Sequence, residues 1–261
     1  MSIHISPPFI ATKALVSTLQ TVGYAVLSPT SVVDLWGSTA QDRVSCMVSW
    51  PVSWNDLPAD AYLKDGGHYR RRRHSCFVVN RQNKDTAVQQ TPHRAHWQPL
   101  EYNALHGGMQ RMFDAMSSQV VQSPAWAALL SKLGDVCTAL KPGTTTWFVE
   151  AHQFRIDTTD GIGRPTPEGA HRDGVDFVAV MLIARHGIKG GETRVFDVAC
   201  PTGQRFTMTE PWTLLLLDDE QVIHESTPIQ PLDTTEKDLS YRDTLVLTFR
   251  AGAFQGEEGA S

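Results

Sequence analysis

Two histidines and one aspartate are spaced in this chain as a metal ion would need them: His171, Asp173 and His224. A single residue separates His171 from Asp173. On extended chain, side chains alternate with period two, so this imidazole and carboxylate project to the same side. The third donor, His224, must arrive from a distant strand, which a folded-over sheet can supply. Two nitrogens and one carboxylate on one face suit Fe(II) and leave other positions open for an organic co-substrate and O2.

The flanking residues must position that trio. Gly163 to Ala170 contains two prolines and two glycines, and reads as a stiff loop leading into His171. Gly174 to Ile183 carries one charge and reads as a strand buried on both faces, a rigid support for a ligand. Gly190-Gly191-Glu192 reads as a hairpin-type turn into Thr193–Phe196. His224 follows an acidic turn, Asp218–Gln221. On the last strand, Arg242 and Thr244 share a face, and Arg250 has the same parity. A guanidinium with a hydroxyl two residues on forms a fork for a carboxylate away from the metal.

The rest of the chain bounds the reading. At 261 residues, 41% hydrophobic and 20% charged, it can bury a substantial core and reads as one domain. A formal net charge of -5 gives no reason to expect nucleic acid. No stretch approaches membrane-spanning length or has the form of a signal peptide. Cys46, Cys76, Cys137 and Cys200 include no C-x-x-C pair, which fits reduced thiols and a cytoplasmic location.

Apolar spacing predicts a helix over 9–21, stopped by Gly23, then a strand over Tyr24–Leu27. Ser28–Ser31 reads as a turn capping a short second helix. Val48–Leu57 reads as irregular and 81–100 as loop. A helix over 124–140 starts at Pro124 and buries Trp126, Leu129, Leu130 and Leu133. From Thr144 onward the candidate strands are Thr146–Ile156, Asp176–Ile183, Thr193–Phe196, Gln204–Met208, Trp212–Leu217, Val222–Ser226 and Thr244–Arg250. Short runs without intervening helices predict an α+β chain with a mainly β core, a sandwich or double-sheet jelly roll with N-terminal and flanking helices. The divisions are 1–64, an N-terminal helical/strand cap; 65–143, flanking strands and helix; 144–250, the metal-binding core; and 251–261, a tail.

Four consecutive arginines, Arg70–Arg73, sit between a glycine turn and a Phe-Val-Val run. On a strand, Arg70 and Arg72 oppose Arg71 and Arg73. Either they form a solvated edge, or one or two point inward and hold a carboxylate. A nucleic-acid reading is the weakest.

His171-Arg172-Asp173, the distal His224 and Arg242-Asp243-Thr244 together resemble the Fe(II)/2-oxoglutarate-dependent dioxygenases. Within them the chain is most similar to the bacterial branch that includes the L-isoleucine 4-hydroxylases. The similar blocks are Tyr69–His74, Tyr102-Asn103 with Gly107-Gly108, Glu150–Ile156, Pro165–Phe177, Gly190–Glu192 and Tyr241–Phe249. The resemblance implies a double-stranded β-helix of cupin-like form. It implies Fe(II) on His171, Asp173 and His224, and 2-oxoglutarate gripped by Arg242 with Thr244, Arg250 being the reserve. O2 would be consumed, and succinate and CO2 released. Relatives that chlorinate lack the carboxylate that Asp173 supplies, so hydroxylation is implied.

The implied substrate is a free L-amino acid, aliphatic or a close derivative. Its carboxylate needs a cation, for which Arg70–Arg73 and Arg155 are candidates, and its ammonium an acid, Glu168 or Glu150. Phe154, Phe177 and Trp147 are candidate walls; Glu168, Arg155, Arg72 and Phe177 lead the set. His152 is open between ligand and core residue, whereas His68, His74, His93, His96, His106 and His186 read as surface or hydrogen-bonded core. No nucleic acid or membrane partner is expected, and a homodimer stays open. The competing readings are a cupin-like metal-dependent binding protein or isomerase without oxidation, and a non-catalytic interaction domain.

Overall fold

A computed structural model of the chain describes residues 4–36, 40–82, 87–233 and 239–257. The N-terminal part forms β1 (Phe9–Ile10), a 3-10 turn at Thr12–Ala14, α1 (Leu15–Val22), β2 (Tyr24–Leu27), α2 (Pro29–Trp36) and α3 (Ala40–Ser49). The stretch expected to be irregular is instead a 3-10 helix, Trp50–Trp54, with Pro51 in its first turn, where a missing N–H costs nothing. β3 (Arg70–Asn80), β4 (Val88–Gln90), α4 (Ser118–Val121) and α5 (Pro124–Leu140) follow. Then come β5 (Thr146–Asp157), β6 (Phe177–His186), β7 (Ile188–Gly190), β8 (Thr193–Asp197), β9 (Gly203–Phe206), β10 (Leu214–Asp218), β11 (Val222–Ser226), β12 (Ile229–Pro231) and β13 (Tyr241–Ala251).

Eight strands form the major sheet in the order β1-β2-β10-β6-β13-β5-β3-β4. Smaller sheets, β11-β8-β9 and β12-β7, complete a double-stranded β-helix, the jelly roll expected from the run of short strands. The N-terminal residues do more than cap it, because β2 pairs antiparallel with β10 and extends the major sheet. Gly190 and Gly191 do turn the chain, both at positive φ. They do not close a hairpin, however: β7 pairs with β12, and β8 with β11 and β9.

Strand alternation sorts the side chains into two interiors. On β6, Phe177, Ala179, Met181 and Ile183 join the large core under the helices, while Val178 and Leu182 join the core between the sheets. α5 contributes Trp126, Leu129, Leu130 and Leu133 to the helix side, as its stripe predicts. The tryptophans at 36, 50 and 54 also lie in this core, on the side of the sheet away from the metal-ligand candidates, and so do not shape the pocket. Trp36, Trp50, Trp126 and Trp212 pack with ring centroids 5.3 to 6.2 Å apart. Trp54 Nε1 donates to the carbonyls of Phe154 and Thr244, at 3.1 and 3.3 Å. It thus braces β5 and β13 from behind, beside a β-bulge at Asp243/Thr244. Among the described residues no helix is long and apolar enough to cross a membrane.

Trp50 lies at the centre of the indole group and is 1% exposed. Trp50→Ala is expected to lower unfolding free energy by about 3–5 kcal/mol, read from urea denaturation. A loss below about 1 kcal/mol would mean that the helical layer is not packed on the sheet as described.

Candidate metal centre and its pocket

His171 lies in the loop before β6 and His224 on β11. The two form an antiparallel bridge, each backbone N–H donating to the other's carbonyl, at 3.0 and 2.9 Å. This pairing brings the rings to 4.7 Å between centroids. Asp173 completes the group: its Oδ1 is 3.9 Å from His171 Nε2 and its Oδ2 is 3.8 Å from His224 Nε2. Those separations are too long for hydrogen bonds, and the three donors lie within 4.8 Å of one another.

The hydrogen bonding fits a divalent metal here. His171 Nδ1 is 2.9 Å from the Gly169 carbonyl and must donate to it, leaving the Nε2 lone pair aimed at the other two ligands. Among the described residues His224 has no hydrogen-bond partner on its ring, and burial, with His171 beside it, holds it well below the usual histidine range and so neutral. For His171, burial opposes the charged form, but Asp173 and Glu168 outweigh it and raise the pKa. A cation held between the carboxylate and both rings would take the place of that proton.

The loop that carries Asp173 is pinned by Asp219, a fully buried carboxylate at the end of β10. Its oxygens accept the backbone N–H groups of Asp173, Gly174 and Val175, at 3.0, 2.8 and 3.2 Å. Gly174 turns this loop at φ 75°, where a Cβ would stand 2.4 Å from the Tyr102 ring, so no other residue fits. Gln98 Nε2 donates to Asp173 Oδ1 at 3.2 Å.

The pocket floor is the inner face of the major sheet. Strand register sets it out in rows: Arg242–Ile156–Arg70, Thr244–Phe154–Arg72, Val246–His152–His74 and Thr248–Glu150–Cys76. Arg242 and Thr244 therefore do face the cavity with the metal-ligand candidates, as do Glu168 and Arg72. Arg242 is 4% exposed, and its Nε has no partner among the described residues. Burial, with Arg185 nearby, lowers its pKa to about 10, which leaves it charged at neutral pH.

Four expected residues lie elsewhere, all for reasons of strand geometry. Arg155 sits on the opposite face of β5 from Phe154, where it grips both oxygens of Asp243 at 2.8 and 2.7 Å and lies over the Tyr241 ring. Phe177 and Trp147 pack on each other in the helix-side core. Arg250 has the right parity, but it is eight residues from Arg242, about 27 Å along a strand; it lines an outer groove and donates to the Ala253 carbonyl.

The arginine run resolves into inward Arg70 and Arg72, 6% and 2% exposed, and outward Arg71 and Arg73. Arg70, Arg71 and Arg73 have carboxylates at 2.7, 3.3 and 3.3 Å, from Asp60, Asp157 and Asp56. Arg72 lies between the faces of Phe113 and Phe154, with Asp60 Oδ2 3.9 Å from its Nη1. Sequence reasoning missed Arg111 and Gln98, which line the pocket from a loop with no periodic pattern.

His74, His96, Glu150 and His152 form a second buried group with converging donors. Hydrogen bonding explains it better than a metal does. Arg72 Nη2 is 2.8 Å from His152 Nδ1, and a guanidinium only donates, so the His152 proton sits on Nε2, facing Glu150. His96 Nδ1 is 2.5 Å from Glu150 Oε2, whereas two ligands of a tetrahedral ion stand about 3.3 Å apart. The group is a buried carboxylate hydrogen-bonded to His96, with His152 and His74 Nε2 at 3.6 and 3.7 Å from it.

Residues 52–248 match the family described as 2OG-Fe dioxygenase. The chain belongs to that family. It is 50% identical to a bsmA homolog from Methylobium petroleophilum PM1, over 96% of this chain and 97% of that one, with a TM-score of 0.87. IDO from Bacillus thuringiensis superposes with a TM-score of 0.74 over 96% of this chain and 100% of its own, at 15% identity. The Fe(II)/(alpha)ketoglutarate-dependent dioxygenase TqaL gives 0.68 over 94% and 88%, at 21% identity. Those two likenesses concern the fold alone. A comparison with curated proteins finds no match. As a family member the chain is a dioxygenase that uses Fe(II), 2-oxoglutarate and O2, which sets aside the isomerase and non-catalytic readings.

Burial depresses the pKa values of His74, His96 and His152, His96 to about 4. In the unfolded chain each would take a proton below about pH 6.5. Between those limits the unfolded state binds more protons, so stability falls as the pH drops, by about 1 kcal/mol per pH unit for each such histidine. Urea midpoints of metal-free protein at pH 7, 6 and 5 are expected to fall steadily, and less steeply in His96→Gln. Equal slopes in the two proteins would remove His96 from the account.

Proposed function

We propose that this dioxygenase hydroxylates a free L-amino acid, aliphatic or a close derivative, in the manner of the isoleucine hydroxylase branch. His171, Asp173 and His224 hold the iron. Arg242, with Thr244, takes the distal carboxylate of 2-oxoglutarate. Bound there, ferrous iron supplies the oxidising chemistry that consumes O2 and converts 2-oxoglutarate to succinate and CO2.

One observation supports an amino acid above other substrates: the same sheet face carries a second buried guanidinium, Arg72, two strands from Arg242. Adjacent strands lie about 4.8 Å apart and Arg72 is also offset by two residues along its strand, so two carboxylates could be held roughly 12 Å from each other, one per ligand. Phe154 stands between these positions and separates the two anions. Glu168 lines the same cavity with its Oε2 buried and unpartnered among the described residues, and it can receive an ammonium. Phe154, Ile156 and Val175 add apolar wall for the side chain.

Each residue has a stated duty. The Gly169 carbonyl fixes the His171 tautomer, Asp219 fixes the Asp173 backbone, and the bridge to His224 sets the separation of the rings. His171→Ala should abolish Mn(II) binding, measured by calorimetry, while the protein stays folded by circular dichroism. Arg242→Ala should raise the 2-oxoglutarate concentration for half-saturation on the order of 100-fold, the loss of a buried charge-assisted pair, with a far smaller change for the amino acid. The deciding screen is succinate release against the twenty L-amino acids, followed by mass analysis for one added oxygen. Succinate formation with none of them above background would sink the substrate assignment.

A further inference from the structure

Arg70, Arg72 and Arg111 are buried side by side on the β3 side of the pocket, at 6%, 2% and 2% exposure. Burying a cation is unfavourable unless an anion accompanies it, and here the accompanying charge is short. Asp60 bonds Arg70 Nε at 2.7 Å and is 3.9 Å from Arg72 Nη1. Glu150 is occupied by His96. Arg111 meets no carboxylate within ion-pair distance among the described residues; its recorded side-chain bond goes to the neutral Oε1 of Gln98, at 2.9 Å. Among the described residues, Arg72 Nε and Arg111 Nε are buried without a partner.

Two fixed guanidinium forks facing a cavity suit a planar two-oxygen anion. Arg72 is held between two aromatic faces and by the bond from its Nη2 to His152 Nδ1 at 2.8 Å, while its Nε donor has no partner among the described residues. Gln98 then connects this corner to the metal ligands. Its Oε1 accepts from both Arg111 Nη2 and Asn103 Nδ2 (3.1 Å), so the amide cannot flip, and its Nε2 must point at Asp173 Oδ1.

We propose that Arg72 and Arg111 form the carboxylate subsite for the amino-acid substrate, and that Gln98 is a positioning residue joining that subsite to Asp173. Substrate and metal then strengthen each other's binding. The inference rests on the amino-acid reading above. An anion on Arg111 fixes the guanidinium that orients Gln98, and Gln98 in turn fixes the rotamer of the carboxylate that must face the metal. Linkage makes the effect reciprocal, so the metal should also tighten the substrate by the same factor.

The test uses the full chain with Mn(II) in place of Fe(II), saturating 2-oxoglutarate, and each of the twenty L-amino acids beside its carboxamide, followed by calorimetry. At least one acid is expected to bind, with its carboxamide about 100-fold weaker. That acid should tighten Mn(II) about fivefold or more. Arg111→Gln should bind acid and carboxamide alike. Gln98→Leu and Gln98→Met should keep the preference for the acid but lose the tightening of Mn(II), while 2-oxoglutarate affinity stays as in the wild type.

The wild-type comparison of acid with carboxamide decides the subsite even if a variant fails to fold. Equal binding of the two, or an unaltered preference in Arg111→Gln, overturns the subsite. Mn(II) tightening that survives both Gln98 substitutions overturns the link. If Mn(II) and 2-oxoglutarate bind but no acid does, the amino-acid reading itself has failed and the subsite falls with it.

Discussion

One pair of backbone hydrogen bonds carries the candidate metal centre. The reciprocal bridge between His171 and His224 joins a loop to a strand of the smaller sheet, and neither imidazole could meet the other without it. Because main-chain groups make the bridge, it fixes ring separation independently of side-chain rotamers. The surrounding structure supports that bridge. Asp219 gathers three successive N–H groups of the loop, and the Gly174 turn lets the chain pass the Tyr102 ring. β6 behind it, flanked by β10 and β13, cannot shift without breaking both ladders.

The second organising constraint is alternation across the major sheet. Each of β3, β5 and β13 sends every other residue into the helix-side core and the rest toward the cavity. Trp147, Val149 and Ala151 on β5 are apolar and packed, whereas Glu150, His152 and Phe154 face inward. A single strand thereby serves stability on one face and chemistry on the other. Trp54 links the two, since its indole N–H is spent on carbonyls of the strands whose side chains line the pocket.

Buried charge is the price of this pocket. The interior carries several guanidiniums and carboxylates that would be cheaper in water, and the structure satisfies them unevenly. Arg155 with Asp243 is a complete pair that ties β5 to β13, and Arg70 Nε bonded to Asp60 holds a loop against β3. Among the described residues, Arg70, Arg72, Arg111 and Arg242 each keep a buried nitrogen without a partner.

Much of this was legible in the sequence. Local spacing places β2, α5, β5 and β11 almost to the residue, because period-two and period-3.6 patterns are set by neighbours along the chain. His171, Asp173, His224, Arg242 and Thr244 were nameable because they lie on or beside regular strands and fit a family pattern. Parity alone could not choose between Arg155 and Phe154, or between Arg250 and Arg242: which face of a strand meets a cavity, and how far along it the cavity extends, depends on what packs behind and above. Arg111 and Gln98 come from loops, where no periodicity marks direction. Composition and local pattern thus determined the elements and the ligand types. Only the closing of one sheet over another decided which charges are buried together and which of them lack a partner, since those are distances between residues far apart in the chain.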